Sequence, residues 1–198
     1  FRVEATASKG TGRVVSSEEG NRLQALLDKG ERGTDFRRIY HLILIPFANE
    51  QFEILESTFW ALDAARYPKD RMIILLAGEE RGGEEARNTA EQVKKTFASK
   101  FGNFFTTWHP DGLPGEIKGK SANASYAVEH TVPELERLGI NIDGVVVSNF
   151  DSDTIVHPQY FAKVTYEFLL AEQPYRRSYQ PIAVYNHNIW DSPAIIRV

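Results

Sequence analysis

The sequence contains no cysteine, which excludes disulfide bonds, thiolate metal sites and cysteine nucleophiles. It also lacks an apolar run long enough to cross a bilayer and shows no recognisable signal peptide. Positive charge is not in excess, because 23 Lys and Arg accompany 27 Asp and Glu, for a formal net charge of -4. A general nucleic-acid binder needs a basic face, so that class is not supported, although a local basic pocket for a diphosphate is compatible with this balance.

Sequence motifs of three common enzyme classes are absent as well. There is no His-Glu-x-x-His, no Gly-x-Ser-x-Gly and no Gly-x-Gly-x-x-Gly, so zinc peptidases, elbow-type hydrolases and dinucleotide-binding proteins lack support. What is present is a chain of 198 residues, 42% hydrophobic and 25% charged. That length and balance suit one α/β domain with a hydrophobic core.

The two ends suggest a domain excised from a longer protein, since the sequence begins at Phe1 and ends on the apolar run at residues 194–198. Residues 1–34 are predicted to form a peripheral helix and linker, with Ser16 and Glu19 as a capping-box pattern. Residues 35–198 are predicted to form the main domain.

Strand-like and helix-like segments alternate four times after residue 35. Each strand-like segment is an uninterrupted apolar run, which indicates burial on both faces of a mostly parallel sheet. This pattern predicts an α/β fold with helices on both sides of the sheet, a Rossmann-like nucleotide-binding layout. The predicted strands are residues 40–45, 72–77, 104–108, 144–148 and 181–185; the predicted helices are 50–66, 84–101, 121–138, adjusted around Pro133, and 158–170, with Pro158 in its first turn.

Polar residues follow the first four predicted strands, at 46–50, 78–80, 118–120 and 149–153. Ligands bind beyond the carboxyl ends of strands in open parallel sheets, so a site is expected there. Asp151 and Asp153 are the sharpest feature, because two carboxylates one residue apart can aim at one hard cation such as Mg²⁺ or Mn²⁺. A solvated turn with a helix cap is the alternative for this tripeptide.

Lys120 follows a glycine and opens a predicted helix, where backbone N–H groups and the ammonium favour an anion. The alternative is a surface lysine in a loop. Phe47 offers a ring on which a base stacks, or else it packs in the core. Asn49 and Glu50 are candidates to contact a ribose or base edge, although capping of the following helix explains them equally well.

Histidines give weaker signals. His157 lies four residues after Asp153 and is a minor candidate ligand for the same cation, whereas a structural or surface role is the commoner outcome. His109 follows the third predicted strand. His187 and Asp191 belong to a polar, aromatic cluster that lines an acceptor groove in one interpretation and forms an exposed loop in the other.

Four of these segments, in this order, resemble family 2 glycosyltransferases of the GT-A fold. Residues 42–50 resemble that family's opening strand and Pro-x-x-Asn-Glu turn, and Tyr67-Pro68 resembles the end of its first helix. Residues 119–123 match its Gly-Lys-x-x-Asn segment. Residues 146–154 and 158–161 resemble its metal-binding strand end, with the Asp-x-Asp motif, and the helix after it. The resemblance covers residues 40–168.

The resemblance implies a GT-A type domain that binds a nucleotide-diphosphate sugar, with a UDP-sugar expected, and a divalent metal, Mg²⁺ or Mn²⁺. It implies that Asp151 and Asp153 hold the metal and that the sugar is transferred with inversion to a hydroxyl deprotonated by a carboxylate base. The donor-binding residues that it implies are Pro46, Phe47, Asn49, Glu50, Glu79, Lys120, Asn123, Asp151 and Ser152.

Two departures from the family pattern affect this prediction. Glu79 stands where the family usually has an aspartate that reads the base. The catalytic base of the family lies well downstream of its metal motif, so we expect it beyond residue 198, in a missing acceptor half; Asp191 is not a convincing equivalent. Such family members are often flanked by membrane helices and build polysaccharides. That context implies a saccharide or lipid acceptor, the cytoplasmic face of a membrane, and membrane contact only through segments outside this fragment.

Two other functions stay open at this stage. A sugar nucleotidyltransferase of similar architecture needs a glycine-rich, basic loop directly after the first strand, and residues 46–50 contain neither glycine nor a basic residue. A non-catalytic domain that binds a nucleotide sugar or serves assembly needs only the binding residues, so the sequence does not separate it from an active transferase.

Overall fold

A computed structural model of the chain describes residues 17–28, 30, 35–116 and 119–181. Within these ranges the main domain alternates strands and helices as the sequence predicts. The strands are β1 (Tyr40–Pro46), β2 (Met72–Glu79), β3 (Asn103–His109) and β4 (Val145–Asn149), and the helices are α1 (Ser17–Asp28), α2 (Phe52–Ala64), α3 (Gly83–Phe97), α4 (Lys120–Arg137) and α5 (Tyr160–Leu170).

The four strands form one parallel sheet in the order β3-β2-β1-β4. Ile43 of β1 lies opposite Ile74 of β2 on one side and Ser148 of β4 on the other. Parallel strands require crossover connections, and helices supply them here. The α/β fold with a parallel sheet flanked by helices is therefore confirmed.

The two faces of the sheet bury alternate residues of the central strands, as the twofold period of a strand requires. Ile43 and Ile45 of β1 pack on the side of α2 and α3, where the core includes Phe59 and Phe97. Leu42 and Leu44 pack on the side of α4 against Ala127 and Leu135. Both faces of β2 are covered, so the strand is buried along its whole length. This burial accounts for the uninterrupted apolar run at residues 72–77.

Several helix boundaries differ from the predicted ones. The helix predicted from Glu50 begins at Phe52, because the Glu50 carboxylate folds back onto its own turn. The helix predicted from residue 158 begins at Tyr160, so Pro158 lies before its first turn. The third predicted helix continues through Pro133, which is exposed to solvent. The second predicted helix ends at Phe97 and is followed by a short 3₁₀ turn.

The ends of the described ranges limit two further comparisons. The fifth predicted strand, residues 181–185, lies outside the described residues beyond Pro181, and so does Ser16 of the capping-box pattern. Helix α1 lies within the predicted peripheral segment and contacts α5, where Arg22 pairs with Glu167. Among the residues that the structure describes, no helix is both long and apolar enough to span a membrane.

Candidate functional site

The carboxyl ends of β1 and β4 lie side by side, and each strand is extended by one further backbone hydrogen bond. The Phe47 N–H donates to the Ala77 carbonyl at 2.9 Å, and the Phe150 N–H donates to the Leu44 carbonyl at 2.9 Å. The turn after β1 and the Asp151-Ser152-Asp153 turn after β4 therefore leave the sheet at one edge. This is the edge where the sequence predicts a ligand.

Glu50 joins these two turns. Its Oε2 accepts the backbone N–H groups of Ala48 at 2.7 Å and Asn49 at 3.0 Å, and its Oε1 accepts the Ser152 hydroxyl at 3.0 Å. Burial by itself raises the pKa of this carboxyl, but the hydrogen bonds to the ionised form outweigh it, so the pKa of Glu50 lies below its usual value. Glu50 is thus a carboxylate held by three donors from two turns.

Ser152, the middle residue of the Asp-x-Asp motif, is also held from a second side. Its carbonyl accepts the hydroxyl of Thr58, a fully buried residue of α2, at 2.7 Å. The turn itself closes where the Thr154 N–H donates to the Asp151 carbonyl at 3.0 Å. The backbone of the motif is therefore fixed to both the β1 turn and α2, while the flanking aspartates are exposed.

Lys120 reaches the same place from α4, of which it is the first residue. Its ammonium pairs with the Asp151 carboxylate, across 31 residues of sequence. Both side chains are substantially exposed, at 49% for Lys120 and 72% for Asp151. The structure therefore brings together the Lys120 ammonium, the start of α4 and the Asp-x-Asp turn.

The donor chemistry of this turn suits a hard divalent cation. Asp151 and Asp153 are exposed carboxylates one residue apart, and oxygen ligands of this kind are those that Mg²⁺ and Mn²⁺ prefer. Over the residues described, no group of three or more His, Asp or Glu side chains is gathered as a complete metal site. Two protein carboxylates would accordingly leave most positions of a cation to phosphate oxygens and water.

Asn123 is completely buried in α4, and its amide Nδ2 donates to the carbonyl of Ala77 in β2 at 2.8 Å. It ties the start of α4 to the end of β2, one turn after Lys120. This hydrogen bond positions α4 on β2, while the amide Oδ1 of Asn123 is buried without a hydrogen-bond partner among the described residues.

Pro46 and Phe47 belong to the core in this conformation. Phe47 is 2% exposed, and its ring meets Trp108 edge to face with 5.8 Å between ring centroids. Asn49, in contrast, is exposed beside Glu50. Of the four residues in this turn that the sequence places near a nucleoside, only Asn49 presents an exposed side chain.

Glu79, at the end of β2, is 9% exposed and forms an ion pair with Arg81. The hydrogen bond to Glu79 raises the pKa of Arg81. Both residues line a cavity of about 80 Å³ that ends at Gly119, directly before Lys120. Sequence analysis missed Arg81, although its place just beyond a buried strand, two residues after Glu79, is the signal that identified the other site residues.

The same cavity contains His109 and Glu116, a pair that sequence analysis did not recognise. His109 is 8% exposed, and its Nε2 lies 2.9 Å from a Glu116 carboxylate oxygen without the alignment of a hydrogen bond. Asp111 also lines this cavity, which therefore combines the carboxylates of Glu79, Asp111 and Glu116 with Arg81 and the His109 imidazole. Groups of this kind suit the donors and acceptors of a polar, planar ligand better than a phosphate.

The remaining histidine candidates are His157 and His187. His157 is exposed, and its Nδ1 accepts the backbone N–H of Gln159 at 3.2 Å, which gives it a local role before α5. His187 and Asp191 are outside the described residues.

Comparisons with known proteins give a fold likeness only. No family model matches the sequence, and no curated protein sequence matches it. A solved structure with a similar fold is a mannosyltransferase from Pyrobaculum calidifontis in complex with GDP-Man and Mn²⁺, with a TM-score of 0.48 and 14% sequence identity. The similarity covers 74% of this chain and 41% of that chain, so the chain spans less than half of its neighbour's length. A likeness of this degree assigns no activity.

Proposed function

We propose that this chain is the nucleotide-sugar-binding domain of an inverting, metal-assisted glycosyltransferase, with the resemblance to family 2 as its closest description. The observation that carries the proposal is the meeting of Lys120 with the Asp151-Ser152-Asp153 turn at the carboxyl edge of a parallel sheet. Three separate segments, the β1 turn, the start of α4 and the β4 turn, converge there on groups that suit a diphosphate and its cation.

Each group in the constellation has a distinct task in this proposal. The Lys120 ammonium and the N-terminus of α4 attract the diphosphate. Asp151 and Asp153 would hold Mg²⁺ or Mn²⁺, which supplies positive charge to the leaving diphosphate. Glu79, held by Arg81, and the cavity beside Gly119 lie next to Lys120, where the nucleoside of the same ligand would extend. Proximity of the two places favours one ligand that has a charged part and a planar part.

We place the catalytic base and the acceptor outside the described residues. An inverting displacement needs a carboxylate that takes the proton of the acceptor hydroxyl on the face opposite the leaving diphosphate. The acceptor is proposed to be a saccharide or a lipid at the cytoplasmic face of a membrane, reached through other segments of the full protein.

Two alternative functions are a sugar nucleotidyltransferase and a non-catalytic binding domain. The turn after β1 has neither glycine nor a basic residue, and Glu50 is engaged there by three donors, which disfavours a nucleotidyltransferase that cradles a triphosphate at this turn. A non-catalytic binding domain shares every contact described above. Turnover of a nucleotide sugar by a longer form of the protein separates it from the transferase.

The first test is calorimetric titration of UDP, GDP, ADP and CDP into the protein, with Mn²⁺ and with EDTA. We expect one nucleoside diphosphate to bind in the presence of Mn²⁺ and to lose at least about tenfold in affinity with EDTA, because the metal neutralises charge between phosphate and carboxylate. Absence of metal-dependent binding for all four would refute the proposed site.

The matched variants are Asp153→Asn and Asp143→Asn. Each removes one exposed carboxylate, but Asp143 lies in the turn before β4, at the opposite edge of the sheet. Asp153→Asn is expected to reduce metal-dependent affinity at least about tenfold, whereas Asp143→Asn leaves it unchanged. Equal effects of the two variants would indicate a general charge effect and contradict the metal assignment.

A further inference from the structure

The Asp-x-Asp turn is fastened from two sides, and this observation goes beyond the proposed function on which it rests. The Ser152 hydroxyl donates to Glu50 from one side, and the Ser152 carbonyl accepts from Thr58 on the other. The two contacts reach across 102 and 94 residues of sequence. Neither is a local turn contact, so the fold as a whole sets the position of this one residue.

The flanks of the turn are anchored as well. Phe150, before the turn, is 7% exposed and its ring meets Tyr160 and Phe161 of α5. Val156, after it, is also buried in the core shared with α2. Asp151, Ser152 and Asp153 lie between these two anchors. Fixing Ser152 restricts the backbone from which both carboxylates extend, because Asp151 and Asp153 precede and follow it directly.

We propose that Glu50 and Thr58 are positioning residues, which act through Ser152 to aim the carboxylates of Asp151 and Asp153 at a divalent cation. Neither residue contacts the ligand in this inference. Residues that hold metal ligands in place without contacting the metal contribute strongly to metal affinity, because the ligands then lose less conformational freedom on binding.

The geometry favours this role for Glu50 over contact with a nucleoside. Both carboxylate oxygens of Glu50 already accept hydrogen bonds. One accepts from the turn after β1 and the other from the turn after β4. Thr58 is fully buried, which makes direct contact with any ligand impossible in this fold. An effect of Thr58 on cation affinity therefore has to pass through Ser152.

The first arm of the test needs no ligand. Amide hydrogen exchange is measured in the wild type and in Glu50→Gln, Thr58→Val and Ser152→Ala. The Thr154 amide, which closes the turn on Asp151, is expected to exchange about tenfold faster in each variant, because a turn that has lost a hydrogen bond opens more often. The Phe150 amide, bonded to Leu44 in the sheet, serves as the internal reference and is expected to keep its rate.

The second arm measures Mn²⁺ affinity by calorimetry at a saturating concentration of the nucleoside diphosphate that the wild type binds best. Glu50→Gln and Thr58→Val are each expected to weaken Mn²⁺ binding about tenfold. The matched control is Ser57→Ala, which removes the exposed neighbouring hydroxyl that donates to Ile54 within α2; it is expected to leave both arms unchanged.

A double-mutant cycle separates positioning from general loss of structure. If Glu50 acts through Ser152, adding Glu50→Gln to Ser152→Ala causes little further loss of Mn²⁺ affinity. Additive losses, or an unchanged Thr154 exchange rate in Glu50→Gln and Thr58→Val, overturn the inference.

The two proposals fail in different ways. A wild type that binds no nucleoside diphosphate with Mn²⁺ refutes the proposed function, and the exchange arm alone then decides whether Glu50 and Thr58 fix the turn. A wild type that binds, together with variants that bind Mn²⁺ equally well, retains the function and refutes the positioning role.

Discussion

His41 is completely buried in β1, and desolvation lowers the pKa of its imidazole to about 3. Its Nε2 lies 2.8 Å from the Thr165 hydroxyl, and the rings of Tyr67 and Phe161 meet it edge to face. The side chain is therefore a neutral part of the core. Burial of His41 makes the stability of the fold depend on pH.

The sign of this dependence follows from proton linkage. The unfolded imidazole titrates near its ordinary pKa of about 6.5, whereas the folded ring stays neutral until about pH 3. Between these values the unfolded chain binds a proton that the folded chain does not, so the free energy of unfolding falls as the pH is lowered. Above pH 6.5 the contribution is complete.

We expect acidification from pH 7.5 to pH 5 to cost the wild type about 2 kcal/mol more unfolding free energy than it costs His41→Gln. Urea unfolding at a series of pH values measures how the free energy of unfolding of each protein changes with pH. The two proteins have the same carboxylates, so the difference between their slopes reports on His41. His130→Gln, which alters an exposed histidine of α4, should retain the wild-type slope. Identical slopes for the wild type and His41→Gln would show that His41 does not carry the dependence.

Single residues were the hardest to assign from sequence. The sequence singles out Lys120 and Asp151, each at the end of a strand or the start of a helix, and the topology brings these two positions together, but the sequence does not predict the ion pair between them. The role of Glu50 differs from capping, since its partners include Ser152, far away in sequence. Phe47 shares its residue type with base-stacking rings, and only the packing of Trp108 against it reveals a core position.

At the scale of elements, the apolar runs identify the two central strands because both faces of β1 and β2 are buried. The outer strands β3 and β4 are only partly buried, so the expected burial on both faces does not extend to them. Helix ends are less determined. The start of α2 at Phe52 depends on where Glu50 finds its hydrogen bonds, and α4 continues through Pro133 although proline lacks a backbone N–H for the helical hydrogen bonds. Local sequence contains neither of these tertiary facts.

Gly82 shows how closely two connections approach. It ends the 3₁₀ turn between β2 and α3, and a Cβ there would lie 2.3 Å from the Ala48 carbonyl oxygen and 2.7 Å from the Ala86 side chain. Only the absence of a side chain permits this contact between the β1 turn and the start of α3. Gly82 therefore supports the same turn that contains Glu50.

Gly82→Ala is expected to lower the free energy of unfolding by about 1 to 3 kcal/mol, because backbone atoms must move to admit the methyl group. Gly20→Ala in α1 makes the same chemical change with nothing within 4 Å of the new Cβ, and should raise stability by up to about 1 kcal/mol through helix propensity. Chemical denaturation of both variants checks the opposite signs. A Gly82→Ala protein as stable as the wild type would contradict the close approach.

For the molecule as a whole, the sequence predicts the parallel sheet and the edge at which polar residues collect, because alternating strands and helices constrain topology strongly. It does not predict the cavity between Glu79 and His109, since that cavity depends on the path of the loop after β3. Nor does it predict the fastening of Ser152, which needs two distant partners at once.

Ligand binding at this edge should stabilise the whole domain. At a hundred times its dissociation constant, the preferred nucleoside diphosphate with Mn²⁺ is expected to add about 2.7 kcal/mol, which corresponds to a rise in Tm of about 5 to 10 °C for a domain of this size. Differential scanning calorimetry measures the shift. If Asp153→Asn weakens the affinity about tenfold, the same ligand concentration should add only about 1.4 kcal/mol to that variant, about half of the wild-type shift in Tm. A shift of equal size in the variant would place binding elsewhere.

The contacts of Ser152 also order the events of folding. Glu50 and Ser152 are separated by 102 residues, and β4 joins β1 only after the intervening strands and helices have been synthesised. Pairings this distant close large loops and form late. We therefore expect a nascent chain to expose one side of β1 until β4 has been synthesised, and the β1–β4 pairing that positions the Asp-x-Asp turn to form last in the described sheet. Under the proposed function, the ligand site would then form only when this sheet is complete.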